Sequence, residues 1–227
     1  CAQAFAAAGA TVTLMGRTEK TLVEQGLPYE VCDVTDAASV TSAVARAAAA
    51  RGPVSVALAN AGAAESVPFA KMQPEMLNAM MAVNLNGVVN LWQAVLPGMK
   101  EAGRGRMIAV ASTAGLKGYP YVSAYCAAKH AVVGLTRGLA KELARTGITV
   151  NAICPGFVET PMLQRSIDNI RAKTGMSAED AAGALKADNP QGRFVQPEEV
   201  ADAALWLASS GAASVNGHAL ALTGGEI

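Results

Sequence analysis

The chain has 227 residues, 52% of them hydrophobic and 16% charged, which is enough for one domain with a sizeable core. Its 18 basic and 18 acidic residues give a net charge of zero, so we expect no nucleic-acid partner, and no apolar run approaches the roughly 20 residues that span a membrane. The four cysteines form no CxxC pair and no metal-ligand spacing, so we predict free thiols, a cytoplasmic location and no metal site.

Strand and helix patterns alternate along the chain. Helix-forming residues open the sequence and end at Gly9, and the first strand is predicted at 11–15. The later predicted strands are 29–34, 54–59, 106–111, 148–153 and 219–222, and the later predicted helices are 36–50, 74–100, 123–145 and 197–208. Strands this uniformly apolar are buried on both faces, so we predict a single α/β domain with a Rossmann-type, doubly wound parallel sheet and helices on both faces.

One segment, at about 158–194, departs from this alternation. It is polar, its helix patterns are weak, and it is too long for a routine connection between two elements. We predict that this segment is a substrate lid, and a plain helical excursion is the alternative.

Small, polar or turn-forming residues follow four of the predicted strands. They are Gly16-Arg17-Thr18, Asn60-Ala61-Gly62, Ser112 and Pro155-Gly156. The carboxyl ends of parallel strands meet at one edge of a sheet, and ligands bind there. Tyr125 and Lys129 lie four residues apart, so they share one face of the predicted helix 123–145 close to that edge. The sequence therefore predicts a functional site at this edge.

These motifs together resemble the short-chain dehydrogenase/reductase family. The matching stretches, in the family's order, are Asn60-Ala61-Gly62, "VNLNG" with Asn84, Ser112, "YCAAK" with Tyr125 and Lys129, and "PGFVET" from Pro155 to Thr160. The resemblance covers essentially the whole chain and implies hydride transfer between a nicotinamide and a carbonyl carbon. The family's glycine-rich turn between the first strand and first helix has no counterpart, because this chain begins within a helix and without Met. We expect the native protein to extend upstream by on the order of two dozen residues.

The resemblance implies a role for each of four catalytic residues. Tyr125 is the general acid in reduction and the base in the reverse reaction, and the charge of Lys129 is expected to lower the pKa of this phenol. Lys129 also holds the ribose of the nicotinamide. Ser112 hydrogen-bonds the substrate oxygen, and Asn84 holds a water that connects Lys129 to solvent.

The end of the strand 11–15 bears on the choice of cofactor. No carboxylate stands there to accept hydrogen bonds from a ribose 2′-OH, and Arg17 can instead pair with a 2′-phosphate. NADP(H) is therefore favoured, and nearby Glu19 keeps NAD(H) as the alternative. The resemblance places Asp33 and Val34 beside the adenine. The full set of predicted cofactor contacts is Arg17, Asp33, Val34, Asn60, Ala61, Gly62, Tyr125, Lys129, Pro155, Gly156, Val158 and Thr160.

The substrate is predicted only by class. Residues 112–115 and 142–162 resemble ketoreductases of bacterial aromatic polyketide synthesis and 3-oxoacyl-carrier-protein reductases, which implies a β-ketoacyl thioester or another small 3-oxo compound. The 3-hydroxybutyrate dehydrogenases are less similar, since they carry a histidine just after the catalytic serine and this chain does not. Dehydrogenation of a 3-hydroxy acid or another small secondary alcohol is the alternative, and a non-catalytic dinucleotide-binding regulator is an alternative of another class. The family also implies a homotetramer or dimer, with contacts through helices 74–100 and 123–145.

Overall fold

A computed structural model describes residues 1–227, in which strands and helices alternate. The strands are β1 (Leu14–Gly16), β2 (Tyr29–Val31), β3 (Val56–Ala59), β4 (Gly105–Val110), β5 (Ile148–Pro155) and β6 (Ala219–Leu222). The α-helices are α1 (Ala2–Ala7), α2 (Glu19–Val23), α3 (Ala37–Arg51), α4 (Pro74–Met81), α5 (Gly87–Glu101), α6 (Ser123–Glu142), α7 (Pro161–Thr174), α8 (Ala178–Lys186) and α9 (Pro197–Ala208). Every predicted strand and helix is present, while α2 was not predicted and the predicted helix 74–100 contains a π-helical turn at Ala82–Asn86.

All strand pairs are parallel. Hydrogen bonds join β1 to β2 and, separately, join β3, β4, β5 and β6 in that order. Helices connect the successive strands β3 to β6, as parallel strands require. The carboxyl ends of these strands therefore lie at one edge of the sheet, where the predicted site residues emerge.

The side chains of β4 alternate between two separate cores. Met107 and Ala109 belong to the larger core, to which α3, α5 and α6 contribute, whereas Ile108 belongs to the smaller core with Val200 and Leu207 of α9. Successive strand residues point to opposite faces, so helices cover both faces of the sheet. The predicted doubly wound α/β arrangement is confirmed.

The continuous helical segment Pro74–Glu101 differs from the sequence expectation about membranes. It has 28 residues and a mean hydropathy of 1.2 in its most apolar window, so by length and composition it could cross a membrane. A core helix passes the same test, and 33% of this window is buried. Val88, Trp92 and Met99 of α5 lie in the larger core. The apolar character of this segment is explained at least in part by its packing against the sheet.

The segment predicted as a lid folds into α7 and α8 with a small core of its own. Thr160 and Ser177 cap the two helices, accepting hydrogen bonds from backbone N–H groups. Leu163, Ile167, Ala181 and Phe194 pack together, apart from the two cores on the sheet. The helices are therefore stabilised locally, although their polar sequence gave only weak helix patterns.

Candidate active site

Three of the four predicted catalytic residues meet where β4 ends and α6 begins. The Lys129 Nζ lies 5.6 Å from the centroid of the Tyr125 ring, and the Ser112 hydroxyl lies close enough to the Tyr125 phenol to lower its pKa. Gly115, in the turn after Ser112, allows this close packing, since a Cβ there would lie 2.7 Å from the carbonyl oxygen of Lys129. The backbone turn thus rests directly on α6 and brings Ser112 against Tyr125.

Lys129 is a buried amine. Its side chain donates a hydrogen bond to the carbonyl oxygen of Val110 at 2.9 Å, and the residue is only 5% exposed. Burial disfavours the charged form and lowers the pKa of Lys129 to about 8. This amine can therefore both hold and release a proton near neutral pH, unlike an ordinary lysine on a surface.

The pKa of Tyr125 differs from the sequence expectation. Burial raises the pKa of this phenol, and the hydrogen bond from Ser112 only partly offsets that effect. The predicted lowering by Lys129 is wrong, because removing the phenolate from water is the largest effect and Lys129 is not among the groups that lower this pKa. Tyr125 therefore remains a protonated phenol at neutral pH, which is the form that can give a proton to a developing alkoxide.

Asn84 is fully buried in the π-helical turn, beside Gly62. Its Nδ2 donates to the carbonyl oxygens of Ala63 at 2.9 Å and Met80 at 3.0 Å, and its Oδ1 accepts from the N–H of Ala63 at 3.3 Å. A Cβ at Gly62 would lie 3.0 Å from Asn84 Oδ1 and 3.7 Å from Lys129 Nζ. The predicted Asn60-Ala61-Gly62 motif thus lies against Asn84 and Lys129, two of the predicted catalytic residues, and Asn84 stands in a π-helical turn and not in a regular α-helix.

A second group of predicted residues lies at the ends of β1 and β2. The Arg17 guanidinium is 4.0 Å from the Asp33 carboxylate, and both side chains are well exposed. Hydrogen bonds from Thr35, and to a lesser extent Arg17, lower the pKa of Asp33. The carbonyl of Val34 accepts a hydrogen bond from Asn90 at 2.8 Å, which fixes the loop against α5. No hydrogen bond or ion pair joins this group to Tyr125.

Glu19, which kept NAD(H) as an alternative, is already engaged. Its carboxylate accepts a hydrogen bond from the hydroxyl of Tyr29 at 2.9 Å. Arg17 is therefore the freer of the two charged groups near the end of β1.

The third predicted group follows β5. The Gly156 N–H donates to the Leu222 carbonyl at 3.0 Å, and Val158 forms an isolated bridge with Val195. Thr160 Oγ1 accepts a hydrogen bond from Leu163 at the start of α7. This segment leads from the end of β5, marked by Pro155, into the two helices of the predicted lid.

The structure adds polar groups near the site that the sequence did not single out. Glu226, next to the end of the chain, has a side chain only 3% exposed and pairs with Lys117. Cys154, at the end of β5, is fully buried, and burial raises the pKa of its thiol to about 11. Nothing in the spacing of these residues identifies them, because only the fold brings distant segments to this edge.

Comparisons with known proteins agree with this geometry. A family model described as enoyl-(acyl carrier protein) reductase matches residues 1–226. A protein named as a ketoacyl reductase of the monensin polyketide synthase, from Streptomyces virginiae, is 43% identical over 99% of this chain and 90% of its own length. The D-β-hydroxybutyrate dehydrogenase of Cupriavidus necator is 36% identical over 100% of this chain and 92% of its own.

A solved structure shows the same relationship in three dimensions. The crystal structure of a variant of actinorhodin polyketide ketoreductase with NADPH superposes with a TM-score of 0.93 at 38% identity, covering 99% of this chain and 90% of that one. Family model, relatives and structure all cover nearly the whole chain. The chain therefore belongs to the short-chain dehydrogenase/reductase family of oxidoreductases.

Proposed function

We propose that this protein is an NADP(H)-dependent ketoreductase that converts a 3-oxoacyl compound or related ketone to a secondary alcohol. The observation that carries this proposal is the group in which the half-buried Tyr125 phenol meets the Ser112 hydroxyl and lies beside the buried Lys129. A protonated phenol with a second hydroxyl donor is what a carbonyl oxygen needs as hydride reaches its carbon.

The residues present fit a nicotinamide dinucleotide. Lys129 Nζ has three N–H donors but only one protein acceptor, the Val110 carbonyl, so donors remain for ribose hydroxyls. At Gly62 the absence of a Cβ leaves the loop open beside Lys129, while Arg17 offers an exposed guanidinium for a 2′-phosphate. When bound, a reduced nicotinamide supplies the hydride, which no side chain of the protein can supply.

Ser112 is arranged to orient the substrate. Its Oγ already accepts a hydrogen bond from the N–H of Ala114 at 3.1 Å, and its one hydroxyl proton, directed at Tyr125 in the free protein, can turn to a bound substrate. We assign that proton to the carbonyl oxygen of the substrate. The same oxygen then receives the proton of Tyr125 as negative charge develops on it.

Tyr125 must regain its proton after each turnover. Lys129, whose pKa is about 8, can supply that proton because it exchanges readily near neutral pH. The Asn84 Oδ1 and the Lys129 Nζ both lie close to the point where a Cβ would stand on Gly62, and we assign Asn84 to hold the water that passes protons from solvent to Lys129. This completes a path from solvent to the substrate oxygen.

The relatives support reduction of a carbonyl, and one of them supports the reverse reaction. The monensin relative is named as a ketoacyl reductase, and the actinorhodin ketoreductase was solved with NADPH. Oxidation of a 3-hydroxy acid with NAD(H) is the second candidate, favoured by the similarity to D-β-hydroxybutyrate dehydrogenase. The raised pKa of Tyr125 favours the reductive direction, because the phenol is held in its proton-donating form.

Three finer assignments belong to the same proposal. Residues 158–194 act as a lid, supported by the hydrogen bond from Lys173 of α7 to the Ser66 carbonyl at 3.2 Å, which connects α7 to the loop after β3.

The protein is a homotetramer or dimer, with contacts through Pro74–Glu101 and α6, where Gly134 leaves open space on an exposed face. The protein is cytoplasmic, which agrees with four free cysteines.

The test is a substrate panel on the full-length protein. A 3-oxobutanoyl thioester, free 3-oxobutanoate and a cyclic ketone are each supplied with NADPH or NADH, and loss of absorbance at the reduced nicotinamide is followed. The reverse reaction is followed with 3-hydroxybutyrate and each oxidised cofactor. We expect the thioester with NADPH to give the highest kcat/KM. A higher value for 3-hydroxybutyrate with NAD⁺ would favour the dehydrogenase, and cofactor binding without any turnover would favour the regulator.

A further inference from the structure

A buried carboxylate lies behind the proposed active site and has no part in the mechanism above. The Glu226 side chain is 3% exposed, and its Oε1 accepts a hydrogen bond from the Lys117 Nζ at 2.6 Å. The same oxygen accepts the proton of the Tyr119 hydroxyl, which in turn accepts a hydrogen bond from the Thr113 Oγ1 at 2.7 Å. The chain of contacts thus runs from the last residues of the protein to the residue that follows Ser112.

The carboxylate also faces the other side of the site. Its Oε2 lies 3.3 Å from the point where a Cβ would stand on Gly156, and Gly156 itself is hydrogen-bonded to Leu222 at 3.0 Å. Phe157 packs edge-on against the Tyr119 ring, with centroids 6.2 Å apart. Glu226 therefore touches both the loop after β4 and the segment after β5, which follow neighbouring strands of the sheet.

The Tyr119 hydroxyl is the proton donor to the carboxylate in this cluster. Burial, followed by the hydrogen bond to Glu226, raises the pKa of Tyr119 strongly, so this phenol stays a donor at neutral pH. Lys117 lies 4.6 Å from the centroid of the Tyr119 ring and adds a cation–π contact to its ion pair. A charge-assisted pair that is shielded from solvent is worth more than an exposed one, because less screening opposes it.

We propose that Glu226 is a positioning residue that holds the turn after β4, and with it the Ser112 hydroxyl, in the geometry needed for carbonyl reduction. The inference rests on the proposed function. Glu226 acts through Tyr119 and Thr113 and does not touch the substrate. Removing its carboxylate frees the loop 113–119 and the segment after β5 to move apart, and Ser112 then loses its alignment with Tyr125.

The test combines kinetics with an activity-independent measurement on the full-length protein. Glu226→Ala, Glu226→Gln, Tyr119→Phe and the double variant Glu226→Ala/Tyr119→Phe are assayed with NADPH and the 3-oxobutanoyl thioester. Glu30→Ala is the matched control, because Glu30 forms a partly buried ion pair with Arg46 and Arg51 outside the site. Amide hydrogen exchange across 113–119 is measured in parallel, and a thermal melt shows that each variant is folded.

We expect Glu226→Ala to lower kcat about thirtyfold with KM changed less than about threefold, because alignment in the transition state is lost and binding is largely kept. Glu226→Gln, which keeps an acceptor for Tyr119, should lose only about fivefold. The effects of Glu226→Ala and Tyr119→Phe should not add in the double variant, since they break one chain of contacts. Exchange of amides 113–119 should rise about tenfold in Glu226→Ala.

A folded Glu226→Ala variant with kcat within about twofold of wild type overturns the proposal, and so does a loss equal to that of Glu30→Ala. If Glu226→Ala does not fold, the kcat of Glu226→Gln is compared with that of Glu30→Ala instead, and a loss of about fivefold is expected. If the wild type reduces no carbonyl, the proposed function fails. The hydrogen-exchange data alone then decide whether Glu226 holds the loop 113–119 in place. Faster exchange in 113–119 then supports it, and unchanged exchange overturns it.

Discussion

The two ends of the proposed cofactor site contrast in their exposure to water. At the catalytic end, Asn84 is 0% and Lys129 5% exposed, and each makes hydrogen bonds to backbone groups. At the other end, the Arg17 side chain is 68% exposed and its nearest carboxylate is 4.0 Å away. Buried groups have shifted pKa values and fixed geometry, whereas exposed charges act through a screened field. Substitutions at the first end should therefore abolish carbonyl reduction. Substitutions at the second end should only change the preference for NADPH over NADH.

The largest effect is expected from Tyr125→Phe. Removing the phenolic proton donor should lower kcat for carbonyl reduction by about a thousandfold, while the Kd for NADPH changes little. The matched control is Tyr121→Phe, which alters a tyrosine that is 62% exposed in the preceding loop. A Tyr125→Phe variant that keeps more than a tenth of the wild-type kcat would show that another group gives the proton.

Lys129→Met should separate activity from stability. The folded-state pKa of Lys129 is about 8 against an ordinary value of 10.5, so the unfolded chain binds the proton more tightly and the buried charge destabilises the fold at pH 7. Replacing it should lower kcat by about a hundredfold and raise the free energy of unfolding by about 2 kcal/mol, after allowing for the lost hydrogen bond to Val110. Urea denaturation measures the second quantity.

The pH dependence of the increase in the free energy of unfolding gives a further check on Lys129→Met. The cost of the buried charge should fade as pH rises from about 8 toward the unfolded-state value of 10.5, so the advantage of the variant should shrink over this window. The exposed-lysine control is Lys141→Met on the same helix. A variant that is less stable than wild type at pH 7 would contradict the burial argument.

The pH profile of the wild type should show the same buried amine. As pH rises through about 8, Lys129 loses the proton that it supplies to Tyr125, while the raised pKa of Tyr125 keeps the phenol itself protonated. The kcat for reduction should therefore fall about tenfold per pH unit above this value. Stopped-flow measurement with saturating NADPH and ketone gives the profile. A kcat that stays constant to a pH well above that of Lys129 would exclude the relay.

The smallest effect is expected at the exposed end. Arg17→Ala should reduce the preference for NADPH over NADH by about fivefold, because an exposed guanidinium–phosphate pair is partly screened. The difference between wild type and variant should shrink at high salt, in contrast with the effects at Tyr125. Arg104→Ala, at another exposed arginine, is the control. An unchanged ratio of kcat/KM values for the two cofactors would mean that Arg17 does not read the phosphate.

The predictable parts of the fold are those whose apolar sequence pattern directly reflects which residues are buried. The strands β3, β4 and β5 pack against cores on both faces, so their residues are mainly apolar, with Arg106, Thr149 and Asn151 as exceptions, and they stand out in the sequence. The helices α7 and α8 gave weak patterns, because their stability comes from end caps and a small shared core rather than from a broad apolar face. The short α2 was missed for a similar reason, since it buries only Leu22.

The residues of the candidate site also divide into those that the sequence predicts and those that it does not. Ser112, Tyr125 and Lys129 follow strand ends or share a helix face, so spacing alone indicates that they meet. The direction of the Tyr125 pKa shift was not predictable, because it depends on how much water the fold removes from the ring. The contacts of Glu226 could not be predicted from the sequence for a further reason. Its partners Lys117 and Tyr119 are more than a hundred residues away in the chain, and only the return of the C-terminal segment brings them together.

The π-helical turn at Ala82–Asn86 has a consequence for how the buried amide of Asn84 could arise. Such a turn holds one residue more than an α-helical turn between flanks that keep their places. Removing a single residue, such as Leu85, would restore an uninterrupted α-helix and leave Met80 and Trp92 packed as before, while Asn84 would rotate away from Gly62. One added residue in an otherwise ordinary helix would thus be enough to place this amide, and evolution could gain or discard it without redesigning the scaffold.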